Sequence, residues 1–285
     1  MNGNKHHPMT IDAHQHFWRY NSSAYAWINE ELNLLQRDFM PPGLEILFRQ
    51  NGIDGCVAVE ARGSELENSF LLELAREFHF IKGVVGWLDL RAGQLSTRLD
   101  YYRQFPAIKG FRYNVQMEED VNFLLRPKWL TGMQVLASFD FTFDLLVFPH
   151  QLGAALELAK RFPNQQFVID HLAKPYIKDG FFDGWAVLMK AMAVLPNVWC
   201  KVSGMVTEAN WSGWKYEDFV PYLSHLFECF GPGRLMFGSD WPVCLLAAEY
   251  GQVKGILERF MEPLSEEAKQ KVWADNAIEF YQLNA

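Results

Sequence analysis

A chain of 285 residues is long for one ordinary domain, but it is the usual length of a single α/β barrel. Apolar residues make up 49% of the chain, which is enough for a large core. The net charge is −8 and no stretch is strongly basic, which argues against nucleic acids and anionic membranes as partners.

The cysteines and the N-terminal segment indicate where the protein resides. Cys56, Cys200, Cys229 and Cys244 form no CxxC pair, and we expect reduced thiols. No apolar stretch is long enough to span a bilayer, and MNGNKHHPMT lacks the apolar region of a secretory signal. We therefore expect a cytoplasmic protein in which 1–285 form one domain and 1–8 are a disordered lead-in.

Short apolar segments recur about every 30 residues, which is the length of one βα unit. Most are continuous apolar runs, as is typical of strands that are buried on both faces of a parallel sheet. The eight predicted strands are 9–14, 54–61, 81–90, 108–115, 141–148, 166–173, 197–204 and 234–242.

Helical patterns lie between these strands. Ser64 and Glu67 form a predicted capping box at the start of one helix, and 265–283 are predicted to form the last helix. Alternating strands and helices indicate either a closed barrel or a doubly wound sheet. The count of eight favours a (β/α)₈ TIM barrel, and HQHFW follows the first strand where a Rossmann-type sheet would carry its glycines.

Two predicted loops after strands are long and rich in aromatic residues. The first spans 17–41 and contains Trp18 and Trp27, and the seventh contains Glu208 and Trp211. Long loops at the C-terminal face of a barrel are often functional. Their aromatic rings suit stacking on a sugar, or they merely cover the barrel mouth. Glu208 and Trp211 similarly either contact a substrate or cap their own loop.

Polar residues at the C-terminal ends of barrel strands are candidates for catalysis. His14 and His16 are two residues apart in the first strand, so both imidazoles face the same way, which suits a metal ion. Asp240 lies at the end of the eighth strand and is a candidate general base. Asp170 and His171 are adjacent, and we expect His171 to face the barrel mouth and Asp170 to face the helices.

Further polar residues lie near the ends of the second, fourth and fifth strands. Glu60, Lys109 and Arg112 are candidates for substrate contacts, and the Arg112 guanidinium can hold an oxygen with two parallel hydrogen bonds. Asp144 is either an internal partner of Arg112 or Lys109 or a participant in the chemistry. His150 either has a role at the site or begins the next helix.

Five segments together resemble the amidohydrolase superfamily, of the amidohydrolase 2 type. They are IDAHQHFW, IKGFRYNVQ, FVIDHLAKP, VSGMVTEANW and FGSDWPV, and the resemblance continues to DNAIEFYQL near the end of the chain. Within the superfamily they resemble the sugar-lactonase branch of L-fuconolactonase-like and L-rhamnonolactonase-like proteins. The resemblance implies a distorted TIM barrel that carries functional groups on His14, His16, His171 and Asp240 and opens a lactone with water.

The resemblance also bears on the metal. Binuclear members of the superfamily carry a bridging Lys or Glu on strand 4 and a His on strand 5. Here FTFDLLVF has no His, and Lys109 adjoins Gly110. We therefore expect one divalent metal, zinc, on His14, His16 and Asp240. A metal-independent site is the alternative, because related lactonases work without a metal.

The expected reaction is hydrolysis of a small-molecule aldonolactone. Asp240 would take a proton from the attacking water, and the oxyanion would be stabilised by the metal or, without one, by His171 and Arg112. Trp18, Trp27 and Trp211 would form walls of the sugar pocket.

Two other functions stay open. The same barrel could decarboxylate an aromatic acid or open an aromatic lactone, and Arg62, Arg91 and Arg112 could then bind the substrate carboxylates. The chain could also be a non-catalytic protein that binds sugar acids. A homo-oligomer is a further possibility.

Overall fold

Eight parallel strands lie side by side in chain order in the computed structural model, which describes residues 9–284. The predicted lead-in, 1–8, lies outside the described residues. The eighth strand's end returns to the first, because the Asp240 N–H donates to the His14 carbonyl at 2.8 Å. The predicted (β/α)₈ barrel is therefore confirmed. The strands are β1 (Ile11–Gln15), β2 (Gly55–Val59), β3 (Ile81–Trp87), β4 (Ile108–Asn114), β5 (Thr142–Leu146), β6 (Phe167–Ile169), β7 (Val198–Val202) and β8 (Leu235–Phe237).

Helices follow the strands and form the outer layer. They are α1 (Pro41–Asn51), α2 (Glu65–Glu77), α3 (Leu95–Tyr102), α4 (Pro127–Leu136), α5 (Leu152–Arg161), α6 (Asp183–Ala193), α7 (Tyr216–Phe230), α8 (Tyr250–Met261), α9 (Glu266–Gln270) and α10 (Asn276–Tyr281). The predicted last helix is divided, because a π-helical turn at Lys271–Asp275 separates α9 from α10. Within residues 9–284, no helix is both long enough and apolar enough to cross a membrane.

The predicted capping box at α2 is only half right. The Ser64 hydroxyl accepts a hydrogen bond from the Leu66 N–H, as a helix cap should. The Glu67 carboxylate instead accepts from the Ala61 N–H and from Arg62. The Glu67 carboxylate therefore stabilises the loop between β2 and α2. In a capping box it would instead accept from the backbone N–H of the N-cap residue.

Successive strand residues alternate between the helices and the barrel interior. Cys200 and Val202 of β7 belong to the core beneath the helices, whereas Trp199 belongs to an interior cluster. This interior cluster also contains Ala277, Phe280, Tyr281 and Leu283 from the C-terminal segment. The C-terminal segment therefore packs into the apolar interior, and polar interior residues occur farther along the strands.

Candidate active site

A cavity of about 520 Å³ lies at the C-terminal ends of the strands. This volume is in the range of small-molecule sites. His16, Arg112, His171 and Asp240 line the cavity, as do Trp27 and Glu60. Six predicted site residues from different parts of the chain therefore meet at one mouth.

His14, His16 and Asp240 converge on one point. The two Nε2 atoms of the histidines are 3.2 Å apart, and His16 Nε2 is 3.4 Å from Asp240 Oδ1. His16 Nδ1 lies 2.9 Å from the Val59 carbonyl, which can only accept, so Nδ1 carries the proton and Nε2 offers a lone pair. Ligand atoms of a tetrahedral zinc are about 3.3 Å apart. The three side chains therefore fit one divalent cation.

Deeper partners orient His14. Its Nδ1 lies 3.3 Å from Asp170 Oδ1 and 3.1 Å from Lys201 Nζ, and all three side chains are buried. Burial holds the pKa of His14 well below its usual value, and Lys201 lowers it further against the opposing effect of Asp170. A neutral imidazole that donates through Nδ1 to Asp170 leaves Nε2 as an acceptor, and Arg112 Nη1 lies 3.2 Å from this atom.

Asp170 and His171 both face the barrel interior, so the prediction that Asp170 faces the helices is wrong. Asp170 lies two residues after Val168, which belongs to the interior cluster, so strand alternation turns Asp170 inward. His171 joins it on that side because the backbone is no longer extended after β6. His171, Leu172, Ala173 and Lys174 then have left-handed backbone, with φ of 52°, 55°, 57° and 50°. His171 Nδ1 lies 2.9 Å from the Ser203 hydroxyl, and Nε2 lies 3.8 Å from Asp240 Oδ1.

Asp240 is held as a carboxylate. Burial by itself would raise the pKa of Asp240, but the neighbouring His171, His16 and Lys174 lower it below its ordinary value. Burial holds the pKa of His171 well below its usual value. An ionised carboxylate next to a neutral imidazole is suited to accept a proton at neutral pH.

A chain of buried ion pairs lies beneath the cavity. Arg112 donates to Glu60 Oε1 at 2.8 Å and to Asp170 Oδ2 at 3.1 Å. Lys201 Nζ lies 3.0 Å from Asp170 Oδ1 and 2.5 Å from Asp144 Oδ2. The expected partners of Asp144, Arg112 or Lys109, are therefore wrong. Lys201 was missed by the sequence analysis, although a lysine in the centre of a buried strand requires an anionic partner.

Two predicted substrate contacts lie elsewhere. Trp18 is fully buried, and its indole N–H donates to the Arg37 carbonyl at 2.9 Å, so this ring belongs to the core under the first loop. Lys109 is the second residue of β4 and therefore lies near the end opposite to the mouth. Its Nζ donates to the Gln282 carbonyl at 2.9 Å. Burial beneath the first loop excludes Trp18 from the cavity wall, and position in β4 excludes Lys109.

The seventh loop stabilises itself and the sixth loop. Glu208 pairs with Lys174 at 2.7 Å, and it is Lys174 that lines the cavity. Trp211 is 41% exposed, and its indole N–H donates to the Thr207 carbonyl four residues before it. Of the two alternatives for Trp211, this contact favours capping of its own loop. His150 lies in a 3₁₀ turn that leads into α5, with Nδ1 3.4 Å from the Tyr176 hydroxyl.

Several cavity residues were not singled out from the sequence. Trp87, Tyr113, Asn114, Gln116 and Lys174 all line the wall. Three of them lie within or directly after the predicted strand 108–115. Their position at a strand's C-terminal end was the available signal.

The chain is similar to known proteins over almost its whole length. The amidohydrolase family model matches residues 11–283. An L-fucono-1,5-lactonase of Burkholderia multivorans is 39% identical, and one of Burkholderia ambifaria is 34% identical, each over 96% of both chains. The crystal structure of an amidohydrolase from Burkholderia multivorans with bound Zn is 39% identical, has a TM-score of 0.92 and covers 97% of this chain and 100% of that chain. On this evidence the chain belongs to the amidohydrolase family.

Proposed function

We propose that this enzyme hydrolyses the ester bond of a sugar lactone and releases the aldonic acid. The observation that carries the proposal is the ionised Asp240 next to His16 and His171 on the wall of a cavity that suits one small ring. The similarity to two L-fucono-1,5-lactonases supports the same class of substrate.

The residues on the cavity wall suggest the following roles. Asp240 takes a proton from a water molecule as the water oxygen attacks the lactone carbonyl carbon. His171 and Arg112 stabilise the negative charge that develops on the carbonyl oxygen. The ring C–O bond then breaks, and the ring oxygen receives the proton that Asp240 holds, which leaves a carboxylic acid and a free hydroxyl. The carboxylic acid then releases the second proton of the water to solvent and becomes the aldonate.

We propose that His14, His16 and Asp240 hold one divalent cation, zinc. The converging lone pairs and the carboxylate favour a cation there, and the Burkholderia multivorans amidohydrolase was crystallised with Zn. A cation at this point supplies Lewis-acid polarisation of the carbonyl. A metal-independent reaction is the alternative, since Arg112 Nη1 already lies 3.2 Å from His14 Nε2.

The charges on the wall favour a neutral substrate. Each cationic side chain that lines the cavity has a carboxylate partner, namely Glu60 for Arg112 at 2.8 Å, Glu67 for Arg62 at 2.8 Å and Glu208 for Lys174 at 2.7 Å. Paired cations attract a second anion weakly. A neutral polyhydroxylated lactone therefore suits the cavity better than an aromatic substrate with several carboxylates.

The test is the initial rate of acid release from a panel of aldono-1,4-lactones and aldono-1,5-lactones, followed with a pH indicator. We expect rapid hydrolysis of one stereochemical subset, and a chelator arm with zinc added back decides whether the metal is needed. Acid release from no sugar lactone would contradict the proposal and direct the search to aromatic acids and their lactones. A thermal shift with lactone but no turnover would instead indicate a binding protein.

We also propose that the enzyme works in the cytoplasm. The four cysteines are free, which accords with a reducing compartment. Cell fractionation tests this proposal. The possible homo-oligomer stays a prediction.

A further inference from the structure

Two amide side chains on the cavity wall have unsatisfied polar atoms. Asn114 is the last residue of β4, and Gln116 lies in the 3₁₀ turn that follows, at Val115–Met117. Both residues line the cavity. Asn114 Oδ1 and Gln116 Nε2 are buried, and neither has a hydrogen-bond partner among residues 9–284. One is an acceptor and the other is a donor.

Neighbouring polar groups are committed to other partners. The Val115 carbonyl accepts from Gln151 Nε2 at 2.9 Å and from the Glu118 N–H at 3.0 Å. The Glu118 carboxylate accepts from the Tyr113 hydroxyl at 2.7 Å. The turn is therefore held firmly by contacts that do not use the two amides.

Leaving a buried donor or acceptor unpaired is destabilising, because the group loses its hydrogen bonds to water and gains none in return. Such groups are uncommon in folded proteins and need an explanation. A ligand hydroxyl supplies one, because a hydroxyl can donate, as Asn114 Oδ1 requires, and can accept, as Gln116 Nε2 requires. A methyl group can do neither, and an ether oxygen can only accept.

We propose that Asn114 and Gln116 together bind one hydroxyl group of the substrate and thereby determine which sugar lactones the enzyme accepts. The inference rests on the proposed function and adds the specificity-determining pair. Neutral amides also accord with a wall whose cations are already paired. A lactone that lacks this hydroxyl would bury both amides without partners, and such sites discriminate strongly against the deoxygenated analogue.

The experiment compares kcat/KM for a hydroxylated lactone with kcat/KM for each of its single-deoxy analogues. In the wild type we expect one deoxy position to reduce kcat/KM by roughly 10- to 100-fold. Gln116→Met and Asn114→Leu keep the approximate side-chain size and remove the polar atoms. In these variants the discrimination at that position should largely disappear, while discrimination at the other positions stays.

Gln151→Met is the matched control. Gln151 supports the same turn through Val115, and its other amide atom accepts from the Phe148 N–H at 3.0 Å. A disturbance of the turn alone should lower kcat/KM by one common factor for every lactone. If Gln116→Met and Asn114→Leu gave that same uniform loss, or no loss, the inference would be overturned.

Two further measurements keep the result decisive. Gln116→Glu preserves the shape and removes the donor, so it replaces Gln116→Met if circular dichroism shows that the methionine variant is unfolded. If the wild type hydrolyses no lactone, the proposed function fails. Calorimetric binding of the aldonic acids and their deoxy forms then tests the amide pair separately, and discrimination that the variants leave unchanged overturns the inference.

Discussion

At the scale of single residues, the proposed reaction requires Asp240 to remain ionised in a buried site. Asp240→Asn keeps the side-chain shape but cannot accept the proton from water. We expect kcat for lactone hydrolysis to fall by about 10²–10⁴-fold with little change in the unfolding midpoint. Steady-state kinetics and thermal unfolding measure the two quantities.

The control for this substitution is Asp89→Asn. Asp89 follows β3 and pairs with Arg91 at 2.8 Å, and neither residue lines the cavity. This variant should retain wild-type turnover. Near-normal turnover of Asp240→Asn would remove Asp240 from the mechanism.

For Lys201, in contrast to Asp240, we expect the main effect of substitution to be on the free energy of unfolding. The Lys201 ammonium neutralises Asp144 and Asp170 in a fully buried position. Lys201→Met should lower the free energy of unfolding by about 3–5 kcal/mol, since Asp144 loses its counter-charge and Asp170 keeps only Arg112. Urea denaturation measures this loss, and adding Asp144→Asn should recover part of it.

An exposed pair provides the comparison. Lys160 and Glu157 are 2.8 Å apart on the surface of α5, and Lys160→Met should change the free energy of unfolding by less than about 1 kcal/mol. Equal losses from Lys201→Met and Lys160→Met would mean that the buried network contributes no more than a surface pair.

At the scale of elements, the turn after β6 places the imidazole of His171 on the cavity wall. Four successive non-glycine residues in left-handed backbone are strained, and such strain occurs mainly at functional sites. Gly204, after β7, allows this turn to fit. Its φ is 60°, and a Cβ there would lie 2.6 Å from His171 Nδ1.

Gly204→Ala should therefore displace the His171 ring. We expect a loss of kcat of at least about tenfold, because a small misplacement of a catalytic group is costly. Gly180→Ala is the matched control, with φ of 70° and no heavy atom within 4 Å of the added Cβ. Both variants should lose stability, and only Gly204→Ala should lose kcat. Similar kinetics for the two would contradict the placement of His171.

At the scale of the whole molecule, stability and chemistry lie at different ends of the barrel, as is general for this fold. The C-terminal segment packs into the interior cluster, where Phe280 contacts Trp199 with ring centroids 5.6 Å apart. Phe280→Ala should cost about 3–5 kcal/mol in the free energy of unfolding. The KM of the folded variant should stay at the wild-type value.

Phe181→Ala is the control for this prediction. Phe181 is 70% exposed, so the same truncation should change stability by less than about 0.5 kcal/mol. A changed KM in Phe280→Ala would show that the two ends of the barrel are coupled.

The sequence by itself determined the features that depend on local pattern. Continuous apolar runs between amphipathic helices predicted all eight strands and therefore the barrel. The spacing of His14 and His16 predicted their convergence, because residues two apart in a strand face the same way. Asp240 was predicted as a cavity residue because it follows a strand at the catalytic end of the barrel.

Only the tertiary structure decided the features that depend on neighbouring strands and on irregular backbone. Asp144 pairs with Lys201 because β5 and β7 lie on either side of β6 and both direct these side chains into the interior, which no local pattern records. Asp170 and the adjacent His171 both face inward because the chain leaves the extended conformation after β6 and is left-handed from His171 onward. The predictions for Trp18 and Lys109 as substrate contacts were wrong for a related reason. Residue type shows what a side chain can bind, whereas burial and position along the strand decide which groups it contacts.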